Sequence, residues 1–284
     1  MPRAKRKTLQ DIAREANVSL TAASFYINGR ARQYGLSDAT CARLAEVIAA
    51  NHYVPNRQAQ AVASRKSFLI GVMIASKLNS SFWADILGAM EATLGARNYH
   101  LLLSATAKDE AKESETLRFM LNSNVDGLII HPFGAACRPL LRDARASGHP
   151  VVVLASAGDG LPRACNDDYA GGKLAAEYLL QAGYRRIAYI GWQGHPRVEA
   201  YCRAMAGRGL PPVLFDSETA FWTERERFTA VMCIHDYLLL AVYQLAAADR
   251  VAIPGELSVI GYDRLDFTRF LNPAPATVEQ AKEE

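Results

Sequence analysis

Two architectures follow one another in this chain: an all-α helix-turn-helix head, then an α/β two-lobed core of parallel, doubly wound sheets. Three observations predict this. Residues 1–66 carry eleven Lys/Arg against four Asp/Glu, whereas the other 218 carry 21 against 25, so a basic head precedes a mildly acidic body. Within the head, apolar residues recur at helical spacing between short breaks. After Ser67 the texture changes to short apolar runs separated by helix-length segments, the pattern of a parallel sheet covered on both faces.

The head reads as three short helices. Thr8-Leu-Gln-Asp11 caps the first, its hydroxyl accepting from first-turn amides while Asp11 sits at the positive end. Leu9, Ile12, Ala13 and Ala16 then repeat on one face. Asn17-Val18 breaks the chain, Ser19 caps a second helix running to about Ile27, and Asn28-Gly29 ends it. Ser37-Asp38 opens a third helix with Leu44, Val47 and Ile48 on its buried stripe, stopped by Pro55. In NVSLTAASFYINGR the second helix is crowded with small and hydroxylated residues, unlike a core helix or a solvated one. A helix entering a DNA major groove about 12 Å wide needs such a leading end. Leu20, Thr21 and Ala22 fall where such helices read bases, with Ser19, Ser24 and Asn28 as phosphate partners. Ala23 packs helix on helix. Next, Asn56 to Ser64 form one short polar helix, marginal alone, which reads as a hinge that orders on binding.

The core begins with FLIGVMI, followed by a helical stretch near 82–97. LLLSA, VDGLII and VVVLA are further strands, and the series resumes with RRIAYIG, TAVMCI and LSVIGYD. Seven strands in two groups, broken near residues 155–166, predict two lobes with a cleft between them, and ligands in such sheets sit beyond the strands' carboxyl ends.

Composition narrows the function classes. Half of the 284 residues are apolar and 21% are charged, which is ordinary for a soluble globular protein. No window holds eighteen uninterrupted apolar residues, so no membrane partner is expected. The basic start lacks the apolar stretch of a signal peptide, and the expected location is cytoplasmic. The five cysteines (Cys41, Cys137, Cys165, Cys202 and Cys233) include no CxxC pair, which argues for reduced, structural thiols and against a metal site. Asp167-Asp168 and Cys233/His235, the latter expected to share one strand face, are the clusters that tempt an enzyme reading. Asp167 is explained as a helix start, and Cys233/His235 lacks an orienting acid. No phosphate loop, nucleophile elbow or dinucleotide fingerprint occurs, so neither an enzyme nor a cofactor is expected.

TLQDIAREANVS, PNRQAQAVASRKSFLIGV, VDGLII, DDYAGGKLAAEYLLQAGYRRIAYIG, TAVMCIHDYLLLAVYQL and IPGELSVIGYD together resemble the lac repressor (LacI) family of bacterial transcription regulators, over most of residues 8–280. The resemblance implies a head over residues 1–54, a hinge over 55–66 and an effector-binding, periplasmic-binding-protein-like core over 67–284. Its N-lobe spans about 67–158, its C-lobe about 163–266, and a shortened return 267–284. It implies a homodimer on a palindromic double-stranded operator, with Leu20, Thr21 and Ala22 as specificity positions, and with Thr8, Asn56 and Phe25, the last offering only apolar contact, completing the DNA-facing set. Val62, with Ala59 and Ala63 alongside, would wedge into the minor groove. A sugar or nucleobase effector would meet Phe82, Trp83, His131, Arg197, His235 and Asp263. The implied function is an effector-controlled repressor. A small-molecule sensor without operator binding, or a nonfunctional shortened copy, stays open at this point.

Several positions depart from the family pattern. Phe25 stands where relatives commonly carry a cation, and Val62 where they usually carry leucine. The loop GRARQYGLSDAT is longer than in many relatives. Leu210 to Phe228 looks short, lacking most of one helix. NPAPATVEQ keeps part of the usual run, and the family core normally continues past it, whereas this chain stops at Glu284. Exposed sheet edges and apolar surface are the expected consequence.

Overall fold

The structure is a computed structural model that describes residues 7–56, 61, 66–154 and 160–282. The chain divides into two compact units, residues 1–68 and 69–284. No helix among the described residues is long and apolar enough to cross a membrane.

The first unit holds α1 (Leu9–Glu15), α2 (Leu20–Ile27) and α3 (Asp38–Ala50). Each starts where a hydroxyl can cap it: Thr8 forms a reciprocal capping box with Asp11, Ser19 accepts from Ala22 N and Ser37 from Thr40 N. Asn17 makes the turn between α1 and α2 with a left-handed φ of 49°, a conformation asparagine tolerates better than most residues. Ile12, Ala13, Ala16, Ala23 and Leu44 form the core, with Val47 and Ile48 packed against it. Pro55 does not stop α3. The helix ends at Ala50, where the Asn51 side chain donates to Val47 O at 2.9 Å and His52 turns left-handed. The hinge predicted over Asn56–Ser64 lies almost wholly outside the described residues, and Ala59, Val62 and Ala63 with it.

The second unit contains two parallel sheets. The N-lobe sheet has the order β2-β1-β3-β4-β5, built from β1 (Leu69–Ile74), β2 (His100–Ala105), β3 (Gly127–His131), β4 (Val151–Leu154) and β5 (Arg163–Ala164). Side chains alternate across it. Met73, Leu128, Ile130, Val151 and Val153 face α5 (Glu110–Asn122) and α6 (Arg138–Ala146), whereas Val72 and Ile74 face α4 (Ser81–Gly95). Two helices cover the first face and one the second, leaving Ile129, Val152 and Leu154 half-buried.

The C-lobe sheet has the order β10-β9-β8-β6-β7: β6 (Ile187–Ile190), β7 (Val213–Phe215), β8 (Ala230–Cys233), β9 (Ser258–Asp263) and β10 (Ala276–Glu279). One face packs on α7 (Asp168–Gln181) and α8 (Pro196–Ala206), the other on α9 (Glu218–Thr223) and α10 (Asp236–Asp249).

Ten strands are therefore present among the described residues, where the apolar runs predicted seven. β5 and β7 run for two and three residues, too short to make a distinct run, and β10 (ATVE) carries polar residues at alternate positions, so no apolar run marks it. The short stretch from Leu210 to Phe228 holds β7, the six-residue α9 and one 3-10 turn. Phe215, Phe221 and Phe228 pack edge to face or tilted at 5.5–5.9 Å and close that layer. Cys233 and His235 do not share a strand face. Cys233 ends β8 inside the core, whereas His235 lies beyond the strand as the N-cap of α10.

Candidate functional site

In the first unit, the start of α2 and the start of α1 border one shallow concavity of about 530 Å³, lined by Thr8, Leu20, Thr21 and Ser24 with Leu9 and Gln10. Leu20 is half exposed and Thr21 exposed, while Ala22 and Ser24 are half-buried and Ala23 is fully buried. Ser19 is turned to the helix as its cap, with Oγ 3.1 Å from Ala22 N, and Asn28 donates to Ser24 O at 2.9 Å. Ser19 thus holds the first turn of α2 and Asn28 its last. Phe25 lies flat against Tyr34 of the following loop, ring centroids 3.6 Å apart and planes 2° from parallel. Asn56 is exposed.

In the second unit, a cavity of about 890 Å³ is lined from both lobes. Phe82 and Trp83, at the start of α4, and His131, at the end of β3, come from the N-lobe. Arg197, His235 and Asp263 come from the C-lobe, and all six predicted effector residues line this one space. Trp83 is largely buried, edge-on to His131 with centroids 4.8 Å apart.

The polar end is built around Arg197. This residue sits in the first turn of α8 behind Pro196, and His195 caps the helix by accepting from Arg197 N at 3.3 Å. Arg197 Nε donates to Asp168 Oδ1 at 2.8 Å and Nη1 donates to Ile234 O at 2.6 Å, while Asp263 lies 3.7 Å away. The guanidinium lies 3.5 Å over the Tyr262 ring. The two glycines of DDYAGG make this possible. A Cβ on Gly171 would stand 1.9 Å from the Tyr262 hydroxyl, and one on Gly172 2.7 Å from Arg197 Cα.

Asp263 ends β9 with φ of 107°, and Arg264 follows at 46°. Two successive non-glycine residues in the left-handed region store strain, a cost that clusters at binding sites. Gln280 donates to Asp263 Oδ1, and Asn166 donates to Gln280 Oε1 at 2.5 Å. Because Asn166 lies where the chain first passes between the lobes and Gln280 follows β10, the site carboxylate is bonded to the connecting segments themselves. Across the cleft, Tyr237 accepts from Ser81 N at 3.3 Å and Lys282 pairs with Asp85.

The electrostatics favour a nearly neutral cavity. Burial pushes Asp263 up from 3.8 to about 7, against the pull of Arg197 and Gln280. Burial brings His131 down to about 4 and also lowers His195 and His235. These imidazoles are therefore neutral at pH 7. Nδ1 of His195 and of His235 accepts a backbone N–H in capping, which assigns the proton to Nε2 in each neutral ring. The cavity thus offers N–H donors, a compensated Arg–Asp pair and aromatic faces.

Asp168, Gln280, Asn166, Trp192, His195, Tyr237 and Lys282 also line this space and were not among the predicted contacts. For Asp168 a signal was present, one acidic residue ahead of a glycine pair at a helix start. Gln280 and Tyr237 carry none, since tertiary crossing alone brings them in.

A helix-turn-helix head joined to a cavity shared by two parallel-sheet lobes defines a class: a DNA-binding regulator with a small-molecule binding core. Residues 8–56 match the bacterial regulatory proteins of the lacI family, and residues 68–284 the periplasmic binding proteins and sugar binding domain of the LacI family. The HTH-type transcriptional repressor PurR of Erwinia tasmaniensis is 30% identical over 303 residues, 97% of this chain and 86% of the relative. The ribose operon repressor of Haemophilus influenzae is 26% identical, covering 98% and 88%. The lac repressor dimer bound to operator and the anti-inducer ONPF shares the fold, with a TM-score of 0.85 at 21% identity over 98% of this chain and 89% of that one. The chain belongs to the LacI family of bacterial transcriptional regulators.

Proposed function

We propose that this protein is a cytoplasmic, homodimeric repressor that reads a palindromic operator and is controlled by an uncharged ring-shaped effector. The observation that carries the reading is the pairing, in one chain, of an uncharged, close-approach α2 with a nearly neutral aromatic cavity lined from both lobes. Leu20 and Thr21 read base edges and Ala22 approaches the thymine methyl, while Thr8, Ser19, Ser24, Asn28 and Asn56 serve the phosphates. Ala59, Val62 and Ala63 form the minor-groove wedge at the operator centre, weaker than a leucine wedge because valine is shorter.

In the cavity, Phe82, Trp83, Trp192 and Tyr237 supply ring faces. Arg197, Asp263 and the Nε2–H groups of His195 and His235 address hydroxyls or ring nitrogens. A charged effector would leave its charge uncompensated here, which favours a free sugar or nucleobase over a phosphorylated one. Effector binding changes the pose of the lobes, and the hinge helices order or melt in response, shifting the population of DNA-competent dimers. The relatives are named as repressors, which favours regulation over catalysis.

The test is selection of bound duplexes from a random pool at moderate salt, repeated with sugars and purines added. One enriched palindrome whose recovery changes with one compound class supports the reading. Binding of a compound by a chain that enriches no sequence overturns it in favour of the sensor.

A further inference from the structure

The recognition helix carries no charge: LTAASFYI has neither an acidic nor a basic residue in its first or last turn, and none between. Phosphate contacts supply most non-specific DNA affinity, so the head's cations must come from elsewhere. Among its described residues 7–56 the cations are Lys7, Arg14, Arg30, Arg32 and Arg43. Lys7 pairs with Glu15 and Arg14 with Asp11, so both are already compensated within the fold. Two of the remaining three, Arg30 and Arg32, lie exposed in the loop directly after α2.

That loop is a built element. Residues 31–35 form one turn in which Tyr34 N donates to Arg30 O at 3.2 Å, Gly35 N to Arg32 O at 3.2 Å and Leu36 N to Ala31 O at 3.0 Å. Gly35 takes φ of 68°, which its missing Cβ permits. Arg30 N donates to Phe25 O at 2.8 Å, and the Tyr34 ring lies on the Phe25 ring in a coplanar stack. The turn is thereby fixed to the recognition helix at both its entry and its aromatic residue. Arg30 opens the turn directly beside Phe25 and Arg32 lies within it, two residues before Tyr34.

We infer that the turn after α2 is a second DNA-contacting element, in which the Phe25–Tyr34 stack positions Arg30 and Arg32 on the phosphate backbone flanking the groove that α2 enters. Phe25 is then a positioning residue rather than a base reader, and Tyr34 is its counterpart. This rests on the operator-binding reading above.

The test uses the full chain and a random-sequence duplex DNA as probe, with affinity measured over a range of salt. Each phosphate contact removed should lower the slope of log affinity against log salt by about 0.9. We expect R30Q/R32Q to reduce the slope by about 1 to 2 and to weaken binding at moderate salt at least tenfold. As a control, R142Q/R208Q removes two exposed core cations and should leave the slope unchanged. Tyr34→Ala should flatten the slope as R30Q/R32Q does, and Tyr34→Phe should restore it, with head folding followed by circular dichroism. An unchanged slope in R30Q/R32Q, or an equal fall in both double variants, overturns the inference. If Tyr34→Ala lowers only thermal stability, the positioning role fails. Failure of the unmodified chain to bind the probe would instead refute operator binding itself.

Discussion

Asp263→Asn isolates the electrostatic cost of the effector cavity. The carboxyl is 8% exposed and burial raises its folded pKa to about 7 from 3.8. The folded state therefore holds the proton more tightly than the unfolded chain, by roughly three decades or about 4 kcal/mol at about 1.4 kcal/mol per decade. For a raised carboxylate this contribution is complete below the unfolded value and is lost as pH rises through about 7. Between about pH 5 and about pH 8, roughly 3 kcal/mol of it should disappear. Asparagine tolerates the left-handed backbone and keeps an oxygen for Gln280, so the variant removes the charge with little else. The assay is urea unfolding of the full chain in steps across that interval, with the two proteins compared at each pH so that the histidines, whose lowered values act in the opposite sense, cancel. The variant should gain on the parent as pH rises to about 7 and level off beyond it, a total equivalent to about 5–10 °C in midpoint. Parallel stability curves for the two proteins would refute the assignment of a buried, proton-holding carboxyl.

Four further outcomes follow from local geometry. Gly172→Ala drives a methyl into the Arg197 backbone. An overpacking cost of about 1–3 kcal/mol should exceed the helix-propensity gain of about 1 kcal/mol, lowering the calorimetric midpoint of the core and weakening effector binding. Gly88→Ala, with nothing within 4 Å of the new methyl, should instead raise that midpoint. Ser19→Ala removes the cap of α2 and should cost about 1 kcal/mol, read in a thermal melt of the head. Arg197→Lys loses the fork that joins Asp168 to Ile234 O and should weaken effector binding about 10- to 100-fold, measured by titration calorimetry; an unchanged affinity would remove Arg197 from the contact set.

The architecture was legible because both periodicities are strong: Ile12, Ala13, Ala16 and Leu44 for the head, and seven apolar runs for the sheets. β5 and β7 were not, since segments of two and three residues borrow their conformation from a neighbouring strand, and β10 was not, since ATVE alternates with polar residues and makes no apolar run. In the cavity, Asp263 could be placed from its position at a strand end. The Asn166–Gln280 bond joins residues 114 positions apart and leaves no local trace. The Phe25–Tyr34 stack is similar on a smaller scale: the residues are near in sequence, but an irregular loop of arginine, alanine and glutamine gives no period from which a ring contact could be read.

Leu20 and Thr21 stand free at the leading edge of α2, while the head's stability resides in Ile12, Ala23, Leu44 and the hydroxyl caps. On the proposed reading, what the surface recognises is thus separated from what keeps it folded. Exchange of these two side chains carries little thermodynamic penalty, so a duplicated copy of such a head could drift to a new target in single steps, each intermediate remaining a folded protein. Retargeting is in this sense built into the scaffold's division of labour.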